Sequence, residues 1–376
     1  MRDSTPTAIG SARSFRSGLF CLLLLLSGLE LSVVSFASFG QAAPVRTPEE
    51  IQKDIFETSN QLHDVMPSDD LLYDAERRAK LAPKVIPLLR KFFGLLTEIS
   101  IAVPQAKMQA QSVQDGLRAT LALLGERQAQ DELSRLTVSK DQTESNNARS
   151  WSLAIRWVKA SKDSSTQEQQ AKEFAELARS QPDNPAFADV ASFMAGAAAS
   201  PGLAEQLEQI VVKDLTSDLA KETGQRMAAN RKVKALLNQP LTIEAVTMDG
   251  AKFNSGAWKG KVVLVDFWAT WCAPCVAEMP KLKKVYAELH PRGLEIVGVP
   301  LDNDAAKLRE FLNKNPEMTW PQLFEPTNST TNPLAEQYGV QQVPTMFLID
   351  RKGVVRSITA HENYAELVAK ALEEKP

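Results

Sequence analysis

The chain has 376 residues, 44% of them hydrophobic and 24% charged, enough to bury two or three globular cores, which excludes a short peptide, a fibrous repeat and a disordered polypeptide. Against 43 Lys and Arg stand 46 Asp and Glu, a formal charge of -3, so no positive excess draws in a phosphate backbone and no nucleic acid partner is expected. The cysteines, and the histidines His63, His290 and His361, are too few and too scattered for a His/Cys cluster, so no metal site is expected either.

Residues 1–43 differ from the rest. Arg2, Arg13 and Arg16 precede an apolar run from Leu19 to Leu29, and the small residues Gly40, Ala42 and Ala43 follow. This is the pattern of a secretory signal peptide, with a mature chain starting near Ala43. The alternative is an uncleaved membrane anchor, since apolar residues resume from Leu31 to Phe39; Glu30 between the two runs is costly in lipid. Either way the expected location is exported, periplasmic or extracytoplasmic. Cys21 lies inside this segment, without the small residues before it that lipid attachment would favour. Its removal leaves Cys272 and Cys275, too few for a disulfide framework in an oxidising compartment.

Residues 44–238 read as an all-helical domain. Thr47-Pro48-Glu49-Glu50 combines a capping hydroxyl, Pro in the first turn and Glu at the third position. Ser165-Thr166-Gln167-Glu168 repeats the capping-box logic, and Ser200-Pro201 marks another start. Apolar stripes run through Val85, Leu88, Leu89, Phe92, Phe93 and Leu96, through Trp151, Ala154, Ile155 and Val158, and through Leu203, Leu207, Ile210, Val211, Leu215 and Leu219. Breaks near Pro67, Pro104, Gly125, Ser139 to Asn147, Lys162 to Ser164, Pro182 to Pro185 and Pro201 imply about eight to ten helices, as a bundle or a short solenoid. No fixed period favours a known repeat. The charges alternate in sign, as on solvated helix faces, and His63 stands alone. The functional reading open to such a module is docking to a protein partner.

From Pro240 the pattern changes to alternating strands and helices. Leu241 to Met248 is a strand candidate, Asp249-Gly250 a turn, and Lys252-Phe253 its return. Val262 to Trp268 is apolar except for Asp266, as expected of a strand buried on both faces. A helix from about Ala273 to His290, a strand Glu295 to Pro300 and a helix Asp304 to Asn315 follow. A last block holds helix Pro333 to Tyr338, strand Thr345 to Asp350, a turn at Arg351-Lys352-Gly353, strand Val354 to Ile358 and helix Asn363 to Glu373. Residues 239–376 therefore form an α/β sandwich.

The chemistry sits in Trp268-Ala269-Thr270-Trp271-Cys272-Ala273-Pro274-Cys275, between that buried strand and the start of a helix. Unpaired N–H groups and the macrodipole at a helix N-terminus favour a thiolate, so the Cys272 thiol should ionise below the free value of about 8.5. Cys272, the more exposed at the helix tip, would attack a disulfide, and Cys275, one turn in, would resolve the mixed disulfide. A zinc site would need two further ligands; a c-type haem would need His where Val276 stands; a structural disulfide over so short a loop would stabilise little.

On Val262 to Cys275, Glu278-Met279-Pro280, Val297-Gly298-Val299, Tyr338-Gly339-Val340, Val343-Pro344-Thr345 and Phe347-Leu348-Ile349-Asp350, residues 239–376 resemble the thioredoxin superfamily, and within it the TlpA/ResA-type extracytoplasmic thiol-disulfide oxidoreductases. The resemblance implies a thioredoxin-like sandwich in which Pro344 is a cis-proline opposite the cysteines. Substrate would lie against Trp271, Ala273, Pro274, Val343 and Pro344. Asp266 would be the buried acid that moves protons to and from Cys275, and Glu278, on the cysteine face of the helix, the acid that tunes the pair. Pro280 would kink the helix. Two departures matter: many relatives lack an acid where Asp266 stands, and strand 295–300 lacks the lysine that neighbours this acid in cytosolic thioredoxin.

The expected function is an exported thiol-disulfide oxidoreductase that reduces protein disulfides through the Cys272/Cys275 dithiol, with no cofactor beyond that redox-active disulfide. A membrane-borne donor would supply electrons, because soluble thiol pools do not set the redox state of the periplasm. The alternatives are a helical docking or scaffold protein whose thioredoxin-like part is a redox-sensitive clamp, and a disulfide oxidase or isomerase.

Overall fold

The computed structural model describes residues 46–66, 69–324 and 332–374; the signal-like segment 1–43, Pro67 and the last two residues lie outside them. The chain divides into two compact units that part at Arg226. Among the described residues no helix is long and apolar enough to cross a membrane.

The first unit is helical. Its helices are α1 (Pro48–Val65), α2 (Ala75–Ala102), α3 (Lys107–Leu123), α4 (Arg127–Leu136), α5 (Gln142–Lys159), α6 (Ser164–Ser180), α7 (Ala186–Gly196), α8 (Pro201–Asp214) and the start of α9 (Asp218–Ala235). Thr47 caps α1 in a full capping box with Glu50, and Pro48 occupies its first turn. Ser200 caps α8 by accepting from the Leu203 amide at 3.3 Å. Each principal contact joins a helix to the next or the next but one: α1 with α2, α2 with α3, α3 with α4 and α5, α5 with α6 and α7, α8 with α6 and α7. That is the nearest-neighbour logic of stacked helical pairs. Val85, Leu89, Phe92 and Leu96 of α2 are buried, as are Trp151, Ala154 and Val158 of α5. Burying each such large side chain contributes roughly 1.5–3 kcal/mol.

Three local expectations are corrected. The cap of α6 is Asp163, whose carboxylate accepts from the Thr166 amide, rather than Ser165, because Asp satisfies the orphan donors earlier. The break at 139–147 is shorter, since Asp141 caps α5 directly. The stripe from Leu203 to Leu219 spans two helices, because α8 stops at Asp214 and α9 starts at Asp218.

The second unit holds the end of α9, a hairpin of β1 (Glu244–Val246) and β2 (Lys252–Asn254), and a four-stranded sheet of β3 (Val262–Trp268), β4 (Leu294–Pro300), β5 (Thr345–Ile349) and β6 (Val355–Ser357) in the order β4-β3-β5-β6. Central β3 runs parallel to β4 and antiparallel to β5, and all seven of its residues are buried. Its side chains alternate between two cores. Val262, Leu264 and Trp268 pack with α10 (Ala273–Leu289), α11 (Ala305–Asn313) and α13 (Tyr364–Glu373). Val263, Val265 and Phe267 pack with α12 (Pro333–Tyr338), and Val233 and Leu236, at and just beyond the end of α9, lie against this second core. The strand over 241–248 shortens to β1, since Met248 instead donates its N–H to the Gln322 carbonyl.

Candidate active site

The site forms where β3 ends and α10 begins. Trp268, fully buried, anchors the strand end by donating its indole N–H to Gln322 Oε1 at 3.0 Å. Gly298 opposite Asp266 leaves room for that amide, since a Cβ on Gly298 would lie 2.1 Å from Gln322 Oε1. The next loop is pinned by Asp302, just after β4. Its carboxylate accepts from the Thr270 amide at 3.0 and 3.2 Å and from the Thr270 hydroxyl. One backbone N–H and one side-chain hydroxyl of Thr270, both donating to the Asp302 carboxylate, thus hold the loop just before the first cysteine.

Cys272 is the N-cap of α10, and its sulfur accepts from the Cys275 amide at 3.2 Å. The two cysteines are joined as a disulfide with a Cα–Cα distance of 5.3 Å. Pro274 sits in the first turn, where its missing N–H costs no intrahelical bond. The expected contrast in exposure between the cysteines is slight in this oxidised state, 5% for Cys272 against 3% for Cys275. Their neighbours carry the surface: Trp271 is 66% exposed and Ala273 is exposed.

Val343 and Pro344 are half-buried, and the peptide bond between them is cis. Thr345 stands opposite Phe267 in the antiparallel register, which places Pro344 beside Trp268, at the strand end from which the cysteine loop leaves.

Asp266 lies two residues before Trp268 on β3, and so on the sheet face that packs against α10 and the cysteines. It is 1% exposed, and its Oδ2 has no hydrogen-bond partner among the described residues. Burial alone raises its carboxyl to about 7. An acid poised there can take or give a proton near neutrality. Glu278 is three residues beyond Cys275 and half-buried. It accepts from the Tyr364 hydroxyl at 3.0 Å and lies 2.9 Å from Lys281 Nζ.

Comparison with known proteins bears on the same stretch. A family profile described as Redoxin matches residues 229–374. A thiol-disulfide oxidoreductase ResA from Bacillus thuringiensis subsp. konkukian is 31% identical over 121 residues, 32% of this chain and 67% of the relative. The chain belongs to the redoxin family. A second ResA, from Geobacillus thermodenitrificans, is 30% identical over 126 residues, covering 34% of this chain and 70% of its own. A thiol:disulfide interchange protein of the thioredoxin family from Chlorobium tepidum covers 36% of this chain and 96% of its own, with 26% identity and a TM-score of 0.32. Like these relatives, the chain is a thiol-disulfide oxidoreductase, and its Cys272–Cys275 disulfide lies within the matched stretch.

Sequence reasoning picked out the cysteines, Asp266, Glu278 and the Val343-Pro344 pair. It missed Asp302, Gln322 and Tyr364. Asp302 follows an apolar strand and Gln322 the loop after α11, neither with a motif of its own, and Tyr364 reads as an ordinary core aromatic at a helix start. In each case the hydrogen bond that brings the residue to the site spans 32 or more residues of sequence.

Proposed function

We propose that this redoxin is exported and reduces protein disulfides. The observation that carries the reading is the disulfide at the N-cap of α10, on the same sheet face as a buried acid raised to about 7. Once reduced, Cys272 at the helix N-terminus ionises and attacks one sulfur of a substrate disulfide; the substrate's other sulfur leaves as a thiolate, giving a mixed disulfide. Asp266 takes the proton of Cys275, which then attacks Cys272. The second substrate sulfur is released, and the pair returns to the disulfide. Two electrons pass from the dithiol to the substrate.

The substrate chain would lie against exposed Trp271, Ala273, Pro274 and the Val343-Pro344 segment, with Glu278 tuning the pair. The signal-like pattern over 1–43 supports export, and export supports a membrane-borne donor that re-reduces the pair, since no soluble thiol pool sets the periplasmic redox state.

The test is reduction of a model protein disulfide by the pre-reduced full-length chain. Cys272→Ser should abolish it, and Cys275→Ser should trap a mixed disulfide with substrate. Activity retained by Cys272→Ser would sink the reading.

A further inference from the structure

We propose that Tyr364 is a positioning residue of the dithiol site, holding the Glu278 carboxyl in place so that the influence of this acid on the cysteines depends on the phenol of α13. The inference rests on the reading above, in which Glu278 tunes the pair.

Glu278 is near the surface, and a half-buried glutamate has several rotamers open to it, most of them pointing into water. Two contacts choose among them. The Tyr364 hydroxyl donates to Oε1 at 3.0 Å. Lys281 Nζ sits 2.9 Å from the same oxygen and 4.9 Å from the centre of the Tyr364 ring, so one cation braces both acid and phenol. Tyr364 itself cannot swing away: it is fully buried in the core that also contains Cys272 and Cys275.

A buried tyrosine needs one acceptor for its O–H. Here the acceptor is the carboxylate three residues beyond Cys275, the same helix face, rather than a backbone carbonyl. Burial, then Glu278, then Asp266 push the phenol's ionisation upward, so Tyr364 remains a donor throughout the range in which thiols titrate. Among the described residues, the titratable and charged groups set against Glu278 are thus Lys281 from α10, Tyr364 from α13 and, acting on that phenol, Asp266 from β3.

The test uses the reduced full-length chain and the pH dependence of iodoacetamide alkylation of Cys272. A carboxylate near a thiol opposes its ionisation, so Glu278→Gln should lower the alkylation midpoint by about half a unit or more. Tyr364→Phe, which keeps the ring and loses only the donor, should move the midpoint in the same direction. Combining the two should give the midpoint of Glu278→Gln alone, because the phenol acts only through that acid. An unfolded fraction would move the midpoint up toward the free-thiol value of about 8.5, opposite to the expected shift, so circular dichroism over the same pH range establishes that each variant is folded where its midpoint is read. An unshifted or oppositely shifted midpoint in Tyr364→Phe, or additive shifts in the double variant, would overturn the role. An unshifted midpoint in Glu278→Gln would overturn it too while leaving disulfide exchange by Cys272 standing, since that fails only if Cys272→Ser stays active.

Discussion

Asp266 costs the folded chain free energy as soon as it ionises. The unfolded acid titrates near 3.8 and the folded one at about 7, so below about pH 4 both states hold the proton and the acid takes nothing from stability. Between those values the unfolded chain releases its proton first, and stability falls as pH rises, by a few kcal/mol at full ionisation. Asp266→Asn removes the titration. In denaturant unfolding of the oxidised protein, wild type should therefore lose stability from pH 4 to pH 8 relative to the Asn variant, and parallel curves would contradict the assignment. This part of the site was legible in the sequence, because a single acid in an apolar run announces its burial, and the absence of lysine from the neighbouring strand leaves no cation to hold its ionisation down. Tyr364 was not legible. Its partner lies 86 positions away, and only the packing of α13 on α10 brings the two together.

At the scale of elements, β3 and α12 have the bounds read from the sequence, Val262–Trp268 and Pro333–Tyr338, because a doubly buried strand and a helix begun by Asn-Pro and ended by Gly carry strong local signals. The cap of α6 was misplaced because Asp163 and Ser165 offer the same chemistry two residues apart. Gly339 shows a signal that was half readable. It ends α12 in the left-handed region, at φ 77°, as a glycine after a helix commonly does. What the sequence could not show is that a Cβ there would lie 2.4 Å from the Ala229 carbonyl oxygen of α9. Gly339→Ala therefore meets both backbone strain and a collision with main chain, and should cost about 2 kcal/mol or more in chemical denaturation. A cost under about 0.5 kcal/mol would mean that α9 does not pack there as described.

At the scale of the molecule, the hydropathy pattern changes at Pro240 but the second compact unit begins at Arg226. Composition marks where helices give way to strands, whereas a compact unit is set by what is buried together. Val233 and Leu236 lie against the sheet, and the Asn238 amide donates to the Val355 carbonyl at 2.8 Å. A chain started at Arg226 should therefore resist denaturant better than one started at Gln239, by about 2 kcal/mol for the apolar surface uncovered. Equal midpoints would place those residues outside the cooperative unit. The helical unit carries no chemical motif in its sequence, and the redox chemistry proposed above falls to Cys272 and Cys275.

The measurement that bears most directly on reduction by that pair is its reduction potential in the full chain, by equilibration against glutathione or dithiothreitol buffers. A dithiol that reduces protein disulfides should have a value near that of thioredoxin, about -270 mV. A value near -120 mV, roughly that of a strong disulfide oxidant, would reverse the direction of electron flow and contradict that role.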